Sequence, residues 1–160
     1  MPSVRFRAKW SFRSVGIAAA MVALVTSACV RPAPPPPPPP PPATIAVAAP
    51  SVVAEMNTRR PAAPLAVNGS LTDLAAEWAN HLASTGVLAH RDLNGIGGWP
   101  HLGETIAQAS CGISDAVVVN LWLASPPHAA TMLSPVFTQA GVARACAPDG
   151  REWIVANFGG

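Results

Sequence analysis

Trp122-Leu123-Ala124-Ser125-Pro126-Pro127-His128, with Ala129 to Leu133 behind it, is the stretch from which the rest of the chain is read. Upstream, Ser114 to Leu123 carries Val117, Val118, Leu121 and Trp122 at helical spacing, which predicts a helix with one apolar face. The paired prolines predict its end, because neither donates a backbone N–H and each pushes its predecessor out of the helical region. His128 is therefore expected just past a helix end, at a rigid corner that can aim a side chain. The stretch has company in chain order. Ala89-His90 and Gly103-Glu104-Thr105-Ile106 precede it, and Phe137-Thr138-Gln139-Ala140-Gly141-Val142 follows.

The helix before His90 is the clearest in the chain. Ser70-x-x-Asp73 resembles a capping box at its start. Leu71, Leu74, Ala75, Trp78, Ala79 and Leu82 make a continuous apolar stripe, and Gly86 offers a left-handed cap. His81 falls off that stripe and reads as a surface histidine. An earlier helix is expected from Ser51 as N-cap, through Val52, Val53 and Met56, with Pro61 as its stop. Asn94 to Gly98 reads as a glycine-rich loop. Gly141 to Ala147 and Glu152 to Phe158 read as two strands joined across Pro148-Asp149-Gly150, the second covered on both faces.

Glu104 is the only acidic residue between Asp92 and Asp115. Flanked by Gly103 and the apolar Ile106-Ala107, it is expected to be partly buried, which demands a partner or a raised pKa. The alternative is a solvated glutamate opening a short helix. His101 stands close enough to join it, or is turned outward by strand alternation.

Composition removes one class of function. The four basic residues Arg5, Arg7, Lys9 and Arg13 lie in the first fourteen positions, whereas from Cys29 onward six arginines face eight carboxylates. No basic patch for nucleic acid remains. Residues 1–28 have the layout of a secretory signal: a basic start, an apolar segment from Val15 to Thr26, then small residues. Val25-Thr26-Ser27-Ala28-Cys29 reads as a lipobox, with Cys29 lipidated and the protein held at a membrane. Plain cleavage before a free Cys29 is the alternative. Pro34 to Pro42 is polyproline II, about 28 Å long at about 3.1 Å per residue, and with its flanks makes 29–50 a stalk. The domain proper is placed at 51–160. Export favours a disulfide between its two cysteines, Cys111 and Cys146, over metal binding by that pair.

The ordered set His90, Gly103-Glu104-Thr105-Ile106, Trp122-x-x-Ser125-x-x-His128 and Phe137-Thr138-x-x-Gly141-Val142 resembles the CAP superfamily of cysteine-rich secretory, antigen 5 and pathogenesis-related proteins, and most closely its short bacterial members. The resemblance runs from Val52 to Phe158. It implies an α+β fold, a three-layer α-β-α sandwich around a small antiparallel sheet. It also implies a cavity lined by His90, Glu104, Ser125 and His128. Two departures stand out: Thr105 where the family carries Asn, and Ser125 where eukaryotic members carry a second glutamate. Losing that carboxylate should weaken any divalent-ion site, so zinc is expected at most weakly, on His90 and His128 with Glu104 as a third ligand.

Three functional classes follow. The first is an envelope-anchored binding module for a lipid, sterol or peptide. The second is a hydrolase, metal-assisted or built on Ser125 and His128. The third is a structural envelope protein in which the set only ties helices together. The binding module is the reading favoured over the enzyme, with no cofactor required.

Overall fold

The computed structural model describes residues 45–160; the signal-like leader, Cys29 and the proline run lie outside the described residues. Nine elements follow in order: β1 (Val47–Ala48), α1 (Pro50–Asn57), β2 (Ala66–Val67), α2 (Gly69–Thr85), β3 (Leu102–Ser110), α3 (Asp115–Leu123), α4 (Pro126–Leu133), β4 (Gln139–Cys146) and β5 (Arg151–Gly159). The three long strands are antiparallel in the order β4-β5-β3, with the short β1 (antiparallel) and β2 (parallel) both on the outer side of β4.

Strand alternation on β5 divides the interior in two. Ile154, Ala156 and Phe158 face a core shared with Val52, Val53 and Met56 of α1, Val118, Val119 and Trp122 of α3, and Met132 of α4. Trp153 and Val155 face the opposite way, against Ala75, Ala79 and Leu82 of α2. The expected strand covered on both faces is therefore β5, and the architecture is the expected three-layer α-β-α sandwich. On β4 the residues facing α2 are Gly141, Ala143 and Ala145, all small, so the helix settles close to the sheet. At Gly141 a β-carbon would lie 2.0 Å from the Thr72 backbone nitrogen, and only glycine fits.

Several boundaries differ from expectation, each for a local reason. The fold begins before Ser51: Val47 and Ala48 pair with Arg144 and Ala143, so the end of the expected stalk belongs to the sheet. Helix α1 opens on Pro50, with Ala49 rather than Ser51 at the cap position. Its fixed φ and missing N–H suit a first helical residue. Helix α2 is capped by Asn68, whose Oδ1 accepts the Leu71 N–H at 3.1 Å, and not by Ser70. In α3 the buried side chains are Val118, Val119 and Trp122, while Val117 and Leu121 point outward. The expected disulfide is present: Cys111 and Cys146 have Cα atoms 5.6 Å apart and join the strands flanking β5 at the end where β5 begins. Among the described residues no helix is long and apolar enough to cross a membrane.

Candidate functional site

The prolines after Ser125 do more than stop a helix. Pro126 and Pro127 are the first two residues of α4, with Ser125 at its cap position. His128 is thus not at a corner past a helix end but in the first turn of a second helix. The physical reason is positional: a proline is excluded from a helix interior yet suits a first turn, where the N–H would be unbonded anyway.

Helix α4 is clamped from below. The Arg60 guanidinium, only 8% exposed, donates to the carbonyls of Met132, Ser134 and Phe137, and its Nε reaches Ala63 O. These acceptors include the carbonyl end of α4, where a cation is favoured by the helix dipole. Gly103 lets the helix come near β3, since a β-carbon there would sit 2.7 Å from Phe137 Cζ and 3.0 Å from Thr131 Cγ2.

His90 is delivered by the end of α2. Gly86, at φ 69°, takes the left-handed cap and turns the chain back. The residues on either side of His90 are then tied to α2. Trp78 Nε1 donates to Ala89 O at 2.9 Å, and Arg91 pairs with Glu77 at 2.9 Å while lying over the Trp78 ring. His81 is exposed and stacks on the other part of this cluster, with its centroid 4.3 Å from Trp78. It plays no part in the site, as expected.

Glu104 lies in β3 with its side chain 2% exposed. Its Oε1 receives His90 Nδ1 at 2.8 Å and the Arg91 backbone N–H at 3.1 Å. Burial pushes the carboxyl above its ordinary value, against the opposing pull of those two donors and their charges. The other nitrogen of His90, Nε2, meets His128 Nε2 at 3.1 Å. Burial, and then the neighbouring His90, hold the His128 imidazole below its ordinary value. With His90 Nδ1–H given to Glu104, a neutral His90 presents a lone pair at Nε2. Contact with His128 then requires one shared proton, or a cation between two lone pairs.

The structure thus brings His90, Glu104 and His128 together in one contiguous chain of contacts. Glu104 and its neighbour Ile106 lie on the α2 face of the sheet, whereas α4 packs on the other face. The site therefore closes around the edge strand β3, and His90, with 52% of its side chain exposed, leaves it open to solvent. Ser125 sits one turn before His128 with no side-chain capping bond. His101 is exposed and only its backbone is engaged, paired in both directions with Gly160. Two clefts, of about 330 and 280 Å³, lie elsewhere, one along Val47, Arg144 and Glu152 and one beside Gly86 and Asp149.

Zinc was the ion expected here. The donor set fits it in part. Two imidazole nitrogens 3.1 Å apart suit two ligands at Zn–N distances of about 2.0–2.1 Å, and a carboxylate on the second ring nitrogen orients such ligands. Glu104 is not the third ligand that was expected: it faces His90 Nδ1, away from the paired Nε2 atoms. Among the described residues no three His, Cys, Asp or Glu side chains are grouped to hold a metal ion.

Comparison with known proteins agrees with the fold. An outer surface protein of Borrelia burgdorferi has a similar structure, with TM-score 0.56 and 25% identity over 68% of this chain and 86% of its own. An extracellular protein containing an SCP domain from Bacillus anthracis gives TM-score 0.55 and 20% identity over 68% of this chain. The match spans only 39% of that protein's length. A search of the curated proteins finds no match. Residues 51–158 match the family model described as CAP, the cysteine-rich secretory protein family, and on that match, over well more than half of its length, the chain belongs to this family.

Proposed function

We propose that this CAP-domain protein is a binding module working outside the cytoplasm, and that its open His90–His128 pair receives the polar end of a lipid, sterol or peptide ligand. One observation carries the reading: two imidazole nitrogens meet at 3.1 Å in a solvent-open position, while the buried Glu104 carboxylate fixes His90 from behind. Val87 and Leu88, both exposed, lie just before His90 and offer apolar surface beside the polar pair. The hydrolase reading is weaker, because a nucleophile needs its base in hydrogen-bond reach and His128 Nε2 is turned to His90. Zinc held by His90 and His128 would supply a Lewis-acid contact for an anionic head group. Its affinity would be low with two protein ligands.

Location outside the cytoplasm is supported by the signal-like leader and by similarity in structure to an outer surface protein and an extracellular protein. Lipidation at Cys29 would anchor the domain. In that case the full chain partitions into detergent and Cys29→Ala releases it.

The binding reading is tested by native mass spectrometry of the exported protein, beside His90→Ala and His128→Ala variants. Co-purified lipid, peptide or zinc is expected on the wild type and lost from both variants. Retention of the same mass by both would place the ligand elsewhere and end this reading.

A further inference from the structure

Glu104 is held on one side only. Its Oε1 has two donors, but Oε2 is buried with no partner. A buried carboxylate oxygen without a donor is costly, and the cost is larger than for a neutral group. Directly across the ladder stands Asn157, the residue of β5 in register with Glu104. Asn157 is 0% exposed, and neither its Oδ1 nor its Nδ2 has a partner. Cross-strand neighbours on one face have β-carbons about 4.5–5.5 Å apart, a spacing that one water can bridge where, as here, the amide and the carboxylate make no direct bond.

Among the described residues, the Asn157 side chain has no hydrogen-bond partner. Its neighbour on the other side is Gly141, which has no side chain, and the α2 backbone lies against that glycine. The nearby N–H groups of α2 are taken: Leu71 N–H by Asn68 Oδ1 and Thr72 N–H by Asn68 O. The two unpartnered groups therefore stand opposite each other on one face of the sheet. An Asn amide donates where a carboxylate needs a donor.

We infer that Asn157 is a positioning residue of the site, its Nδ2–H reaching Glu104 Oε2 through one enclosed water. Glu104 is then gripped from both sides, by Arg91 and His90 on Oε1 and by Asn157, through that water, on Oε2, and the His90 ring is held in the Nδ1–H tautomer that aims Nε2 outward. The inference rests on the cluster being the functional site. Its test needs no ligand, so failure of the binding reading would not imitate failure of this one.

The experiment is a double-mutant cycle of Asn157→Leu and Glu104→Leu, read by thermal unfolding. If Asn157 serves Glu104, Asn157→Leu lowers the midpoint by ~5 °C in the wild-type background. The loss largely disappears when Glu104 is already leucine. If Asn157 is a true orphan, leucine removes a desolvated amide and raises the midpoint, and that result overturns the inference. Simple additivity overturns it too. A second readout separates positioning from mere structure: ¹⁵N spectra of the His90 ring at one alkaline pH. Wild type is expected as the Nδ1–H tautomer and Asn157→Leu as a mixture; an unchanged ring would refute the role. Should the variant not fold, a high-resolution crystal structure of the wild type decides, since an Asn157 amide bonded to anything but Glu104 or its water is decisive against.

Discussion

At the scale of single residues, the site is a balance of two opposed protonation preferences. The His128 imidazole is held below its ordinary 6.5 by burial and by His90. As pH falls through about 6.5 the unfolded chain takes up a proton that folded His128 refuses, so stability is lost on acidification from there down to the lowered folded value. Glu104 has the reverse sign. Its folded carboxyl protonates at a higher pH than the unfolded one, so its contribution rises as pH falls toward the ordinary glutamate value of about 4.3. His128→Gln is therefore expected to flatten the decline in stability below about pH 6.5. Glu104→Gln should abolish the recovery at lower pH. Urea unfolding midpoints measured between about pH 4 and pH 8 check both, and a His128→Gln profile that tracks the wild type would show that His128 does not set the decline.

Elements, rather than residues, set the distance between His90 and His128. One arrives from the end of α2 and the other from the start of α4, on opposite faces of the sheet. Arg60 is the brace that holds α4 in place: its guanidinium satisfies three backbone carbonyls at and beyond the end of that helix. Arg60→Met keeps much of the stem but leaves those acceptors unserved, and should cost about 2–3 kcal/mol. The same variant should loosen the His90–His128 contact, seen as broadened imidazole resonances. Loss of stability with unchanged imidazole resonances would make the brace purely structural. On the other face, Gly141→Ala is expected to be worse tolerated, because the obstacle is the α2 backbone and no side-chain rotation relieves it. Circular dichroism melting of the variant, with a large fall in midpoint, is the check.

For the molecule as a whole, the sheet is tied at two ends. The site closes one end of β3, and the Cys111–Cys146 bond closes the other, with Arg144 bridging Asp115 and Glu152 beside it. A crosslink spanning 35 residues should contribute ~3–4 kcal/mol on the chain-entropy account. Replacing both cysteines by alanine should lower the denaturation midpoint by a matching amount while leaving the distant His90–His128 contact intact. An unchanged midpoint would mean that the crosslink adds nothing that the sheet does not already supply.

The sequence alone determined the composition of the layers and named the residues of the His90, Glu104 and His128 cluster. Periodicity marked the buried stripe of α2, alternation marked β5, and the resemblance of the ordered motifs to the CAP family implied that His90, Glu104 and His128 share one cluster. Local chemistry is legible in that way because helical and strand periods follow from backbone geometry. What the sequence could not decide was which side of a punctuating residue an element lies on: Pro126-Pro127 reads equally as an end or a beginning, and Asn68 competes with Ser70 for a cap. Nor did it show Asn157, which looks like one more polar residue in an alternating strand. Its place opposite Glu104 depends on the register of β3 against β5, a contact between segments some fifty residues apart. The Arg60 brace and the closure of two helical layers around β3 are likewise long-range. They arise from packing whole elements together, and no local run of residues encodes them.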